Sequence, residues 1–148
     1  MTAELLDEGP DDVEVIVVQH LWDLLPEGQV SHSRLAGDPL PFIYVNHLGG
    51  EECDEESTVD ELVSIHTLYA KGLGQSGKKA AAEAAAVTHR RMLLLARYLV
   101  DVPLPSGRNA DIDYCDVAMR PRWEEYGDPN ILRKVGRYRI GLSYVKLS

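Results

Sequence analysis

The chain has 148 residues, 45% of them hydrophobic and 26% charged, and a net charge of −9. That length suits one domain able to bury its own core, and no apolar run is long enough for a membrane-spanning helix. The acidic N-terminus lacks the basic region of a signal peptide, and the excess of carboxylates excludes a general nucleic-acid binder, which needs Lys and Arg against phosphate.

Residues 1–10 read as a flexible tail and residues 11–148 as a single domain. Asp11 and Asp12 are suited to cap a helix. Val13, Ile16, Val17, His20, Leu21 and Leu24 follow at helical spacing until Pro26 stops them. The β-branched cluster Val15 to Val18 would also suit a strand. Gln29 to Ser33 reads as a short strand, and Gly37, Pro39 and Pro41 mark a loop. Phe42 to Leu48 is a strand ending at Gly49-Gly50. Glu51 to Ser57, mostly acidic, is expected to be a solvated loop. Leu62 to Ala70 alternates as a second strand, and a connection this short makes the pair an antiparallel hairpin.

Lys71 to Gly77 is a glycine-rich joint, with Ser76 as the expected cap of the next element. Lys78 to Val100 is an Ala- and Leu-rich helix whose solvent stripe is Glu83, Arg90 and Arg97; Pro103 and Pro105 end it. Ile112 to Met119 is a strand, Arg120 to Asn130 is irregular, and Val135 to Leu147 is the last strand. Its apolar face is Tyr138, Ile140, Leu142 and Tyr144; its polar face includes Arg137 and Arg139. The order of elements predicts an α+β domain: a mainly antiparallel sheet with the N-terminal helix and the long central helix packed on one face.

Charge is unevenly placed. Residues 1–62 hold 16 acidic residues and one basic residue, Arg34, whereas residues 63–148 hold 8 acidic and 14 basic residues. Either the halves neutralise each other within one subunit, or an acidic surface on one copy meets a basic surface on the next, as a head-to-tail interface requires. The candidate contact residues are the acidic run Glu51, Glu52, Asp54, Glu55 and Glu56, the pair Lys78 and Lys79, the segment Arg120, Arg122, Trp123 and Tyr126, and the strand arginines Arg137 and Arg139.

No motif points to catalysis. Gly72 to Lys79 matches a phosphate-binding loop up to its last position, where Lys79 replaces the Ser or Thr that would hold magnesium. A turn before a helix accounts for it, and a nucleotide-binding enzyme is the lesser alternative. The acidic run lacks the spacing of a calcium loop. His47, Cys53 and His66 share one hairpin but make a weak zinc set. Cys53 and Cys115, the only cysteines, read as free thiols. No cofactor or metal is expected.

The order of elements resembles the tail terminator (tail completion) proteins of siphophages, particularly those of actinobacterial hosts. The resemblance covers roughly residues 11–147. It rests on the strand PFIYVNHLGG, the strand ELVSIHTLYA before the Ala-rich helix AAAEAAAVTHRRMLLLARYLV, and the closing VGRYRIGLSYVKL. The glycine-rich joint with its two lysines is not part of that likeness. The resemblance implies a virion protein of the tail-neck region, assembled in the host cytoplasm. It would form a ring, usually a hexamer, that ends tube polymerisation and meets the head connector. Its partners would be copies of itself, the tail tube protein and a connector or stopper protein. DNA would pass without sequence-specific binding, through a channel whose acidic charge prevents adhesion. Another neck component, a stopper or adaptor, fits the same sequence, as does a small acidic adaptor that binds one basic protein.

Overall fold

The computed structural model describes residues 10–53, 58–72 and 75–143. Most of the tail expected over residues 1–10, part of the acidic run (54–57), two residues of the glycine-rich joint and positions 144–148 lie outside the described residues.

Helix α1 spans Val13–Leu21 and is followed by one 3-10 turn, Trp22–Leu24. Valine is a poor helix former, so this helix depends on burial: Val13, Ile16, Val17 and Leu21 are almost fully enclosed. Its start is fixed by Asp12, whose carboxylate accepts the Glu14 amide at 2.8 Å. Asp12→Ala is therefore expected to lower the unfolding free energy by about 1 kcal/mol, read from urea midpoints. An unchanged midpoint would mean that tertiary packing alone sets the helix start.

Strand β1 is Val30–Ser31, β2 is Phe42–Cys53, β3 is Thr58–Ala70, β4 is Ile112–Glu124 and β5 is Ile131–Ser143; helix α2, Gln75–Tyr98, joins β3 to β4. The sheet order is β1-β2-β3-β5-β4. The β1–β2 pair is parallel and the other three are antiparallel. The α+β architecture is as the sequence predicts. Both helices pack on one face: Ile16, Val17 and Leu21 of α1 and Met92 and Leu95 of α2 share a core with Val45, Ile65, Tyr138 and Ile140 of the sheet. Each such side chain contributes roughly 1.5–3 kcal/mol on leaving water. The helices are also tied to each other. The His20 ring donates to the Arg91 carbonyl at 2.8 Å, and Arg91 reaches back to the His20 carbonyl and to Asp23, the latter at 2.6 Å.

Several boundaries differ from expectation. Strand β2 does not stop at Gly49-Gly50. It passes them with a register shift between His47 and Gly49 and continues through the acidic residues. Glu51 and Glu52 are thus strand residues rather than part of a solvated loop. The glycine at 50 is needed, because a Cβ there would lie 2.4 Å from the Asp60 carbonyl oxygen. Helix α2 starts at Gln75, so Ser76 lies within the helix rather than capping it. Strand β4 runs on to Glu124, which makes Arg120, Arg122 and Trp123 strand residues. It is an edge strand, where the missing N–H of Pro121 is tolerated. Strand β5 begins at Ile131, four residues before the predicted start.

Candidate interaction surface

Side chains alternate across a strand, so each sheet row carries residues to one face. The face away from the helices shows rows of its own. Phe42 is opposite Leu68, which is opposite Arg133, which is opposite Glu124. Tyr44, His66, Val135 and Arg122 form the next row, and Asn46, Ser64, Arg137 and Met119 the one after. No helix covers this face among the described residues. Phe42 and Leu68 are nevertheless fully buried. Arg34, from the loop after β1, lies 5.6 Å from the Phe42 ring centre, and Arg133 lies 5.4 Å over the Tyr126 ring.

The two guanidinium groups border a cleft of about 320 Å³ that also meets Tyr44, His66, Leu68 and Tyr126. Arg34 donates to the Asp38 carbonyl at 2.8 Å and to the Tyr126 hydroxyl at 3.4 Å. Arg133 donates to the Glu125 carbonyl and approaches the His66 Nδ1 at 3.5 Å. Guanidinium can only donate, so Nδ1 is the bare nitrogen and His66 carries its proton on Nε2, 2.8 Å from the Ser64 hydroxyl. Burial, then Arg133, hold the His66 pKa down at about 4, with Arg137 adding to the effect and Glu124 opposing it.

Arg34, Arg133 and Arg137 have no carboxylate partner among the described residues, and the Nε of each is buried without a hydrogen bond. Glu124, which stands opposite Arg133 in register, is paired with Arg122 at 3.3 Å instead. Unpaired buried donors are scarce in folded chains because each costs roughly 1–3 kcal/mol.

The opposite end of the sheet is acidic. Glu51, Glu52, Asp60 and Asp113 surround a cleft of about 520 Å³ that also meets Tyr114. The Tyr114 hydroxyl donates to Asp60 at 2.5 Å, and Arg139 pairs with the same carboxylate at 2.9 Å. Burial, with Asp60 beside it, pushes the Tyr114 pKa up to about 12.

The fold has a counterpart among solved structures. A chain from the structure described as "Virion of native gene transfer agent (GTA) particle" superposes with a TM-score of 0.51 at 20% identity. The match covers 88% of this chain and 93% of that one. At that identity the likeness concerns the fold. No family model matches the chain, and no curated protein matches it in sequence.

The predicted contact residues fall into separate places. Lys78 lies 5.5 Å from the Trp123 ring centre and Lys134 5.1 Å. Trp123 stays 37% exposed on the helix side of β4, beside a groove of about 640 Å³. Lys79, Arg120 and Arg122 are exposed. Arg139 pairs with Asp60 within its own subunit, whereas Arg137 has no carboxylate partner among the described residues. Glu51 and Glu52 are exposed; Asp54, Glu55 and Glu56 lie outside the described residues. Arg34 and Arg133 were not among the predicted contact residues, and His66 was weighed only as a weak zinc ligand. The signal for Arg34 was available, since it is the only basic residue in the first 62.

The chemical alternatives lose their geometry. His47 pairs in register with Val63, and its ring meets Glu61 at 3.1 Å, whereas His66 stands opposite Tyr44 on the other face, so the hairpin does not gather the weak zinc set. The strand before Gly72 is antiparallel to both neighbours, unlike the buried parallel strand that precedes a phosphate loop. Gly77 has a packing role: a Cβ there would lie 1.9 Å from the Lys71 carbonyl oxygen. Cys115 is a free thiol, buried, and burial pushes its pKa up to about 12, which leaves it a packing residue.

Proposed function

We propose that the chain is a structural virion protein that closes into a ring, a hexamer in the tail-terminator role, at the head-proximal end of a long phage-like tail. It acts by fitting against copies of itself, the tail tube and the head connector, and carries out no chemical conversion. The observation that carries this reading is the shared fold with a chain of a gene transfer agent virion, which spans nearly the whole of both chains. The sequence resemblance to tail terminators points to the neck. The polarity of the sheet, acidic at one end and at the other bearing arginines with no carboxylate partner among the described residues, suits a head-to-tail ring. An acidic chain also lets DNA pass without adhering.

Gold-labelled antibody against the chain, applied to intact virions, tests the location. Label at the head–tail junction, together with purified chain capping one end of isolated tail tubes in negative stain, is the expected result. Label on the capsid wall, along the tube or at its distal tip would overturn it. Label at the junction without tube capping would assign the stopper or adaptor role instead. Reversal of Arg137 and Arg139 to Glu is expected to weaken ring formation, most strongly at low salt. Unchanged mass distributions by mass photometry across salt concentrations would show that the arginine face takes no part.

A further inference from the structure

We propose that the groove beside Trp123 receives the acidic, leucine-bearing segment Glu4-Leu5-Leu6-Asp7-Glu8 of a second copy of the chain. The contact rests on the reading that the chain assembles with itself, and it would join successive copies.

The groove carries positive charge that its own subunit does not pair. Lys71 and Lys78 line it, and the ammonium groups of Lys78 and Lys134 lie 5.5 Å and 5.1 Å from the centre of the Trp123 ring. None of the three lysines forms an ion pair with a carboxylate among the described residues. Of the acids at the rim, Glu124 pairs with Arg122 and Asp128 accepts the Asn130 amide, so cations outnumber the uncommitted acid, Glu125. The groove also borders the start of α2, whose first turn holds no acid, so the helix dipole adds to the lysine charge. Between these cations lies apolar surface. Trp123 is left partly exposed, and Pro129 and Leu132 stand along the same walls. Such a surface fits a segment that presents leucine to the indole and carboxylates to the ammonium groups.

The sequence holds one such segment beside a fixed point of the fold. Glu4-Leu5-Leu6-Asp7-Glu8 sets two leucines among three carboxylates, with no basic residue between them. Asp11, which follows it, is held at the start of β4 by Arg108 and by the Asp111 amide at 3.3 Å. Trp123 is at the other end of that strand. Ile112 stands opposite Leu142 and Trp123 opposite Lys134, so about 26 Å of sheet separate the two ends at ~3.3 Å per residue. The four residues from Asp7 to Asp11 span at most ~14 Å and the five from Leu6 at most ~18 Å. The segment therefore cannot lay its leucines and acids together in the groove of its own subunit. A segment leaving one end of β4 and a groove at the other bring unlike ends of two copies together, so the contact propagates, and closes where the rotation allows.

The test uses variants of the full chain. The groove variant is Lys71→Glu with Lys78→Glu; an acid suits the start of a helix, so this variant should fold. The segment variant is Glu4→Lys with Asp7→Lys and Glu8→Lys. Each alone is expected to self-associate at least ~10-fold more weakly than the unaltered chain in sedimentation velocity. One chain carrying both sets should regain assembly, because the facing charges are again opposite. Unaltered assembly in both variants, or no recovery in the combined chain, overturns the proposal. So does binding of a single-stranded oligonucleotide that the groove variant loses while its assembly is unchanged, which would assign the lysines and the indole to nucleic acid. Should the unaltered chain stay monomeric, a synthetic peptide of residues 1–10 is titrated instead. It should bind the unaltered chain and not the groove variant, and failure to bind overturns the proposal. If the segment and groove bind as expected but the chain neither rings nor caps tubes, the contact stands and the tail-terminator reading falls. If rings form and both variants ring normally, the reverse holds.

Discussion

Tyr138→Ala is expected to destabilise the chain by about 4 kcal/mol, the usual cost of truncating a buried aromatic ring. Among the described residues Tyr138 is the largest fully enclosed side chain, standing on β5 between Val63 of β3 and Val117 of the edge strand β4. Its hydroxyl shares a 2.7 Å hydrogen bond with the His89 ring of α2, and burial raises its pKa, so the neutral phenol is maintained. The ring thus joins the sheet to the long helix through packing and one polar contact. Domains of this size have about 5–15 kcal/mol in total, so the variant would fold marginally. Tyr138→Phe separates the two contributions, with an expected loss of about 1 kcal/mol for the hydrogen bond alone. Urea denaturation followed by circular dichroism measures both. A loss under 1 kcal/mol for the alanine variant would show that the core can collapse around the vacancy.

The elements whose signal is local were legible before the structure. Helix α1 follows from its capping aspartate and the recurrence of Val13, Ile16 and Val17, and helix α2 from its alanines and its solvent stripe. The alternation of Tyr138, Ile140 and Leu142 identified the buried face of β5. What failed were stops inferred from residue type. Gly49-Gly50 reads as a terminus, yet a register shift carries β2 past it because hydrogen bonding to β3 continues. Pro121 and the arginines around it read as irregular, yet on an edge strand a missing N–H faces no partner. The insertion of β5 between β3 and β4 could not be read at all, since strand order is a non-local choice. The cleft that Arg34 and Arg133 border was missed for a related reason: they are 99 positions apart and come to one cleft only because β1, β2, β3 and β5 are neighbours. Charge asymmetry along the sequence did not map onto the sheet half by half: Arg34, from the acidic half, borders the arginine-lined cleft, and Asp113, from the basic half, borders the acidic one.

His66 makes the same surface sensitive to acid, and the sign is determined. Its folded pKa, about 4, lies below the ordinary 6.5. The unfolded chain therefore takes up a proton near pH 6.5 while the folded chain does not until about pH 4. Stability from this group is complete above pH 6.5 and falls as pH drops through that window. Allowing for the part of the ring still screened by water, the loss is about 2 kcal/mol. The groups facing the ring set the direction. Arg133 and Arg137 of β5 oppose its protonation and Glu124 of β4 favours it, while Tyr44 of β2 lies 5.2 Å away, ring centre to ring centre. His20 and His89, whose pKa values burial also lowers, act in the same direction, so the slope must be compared with a variant. His66→Gln retains hydrogen-bonding capacity beside Ser64 and does not titrate. Urea midpoints at pH 7 and pH 4.5 should therefore fall less for His66→Gln than for the unaltered chain, and equal falls would show that the ring is solvated.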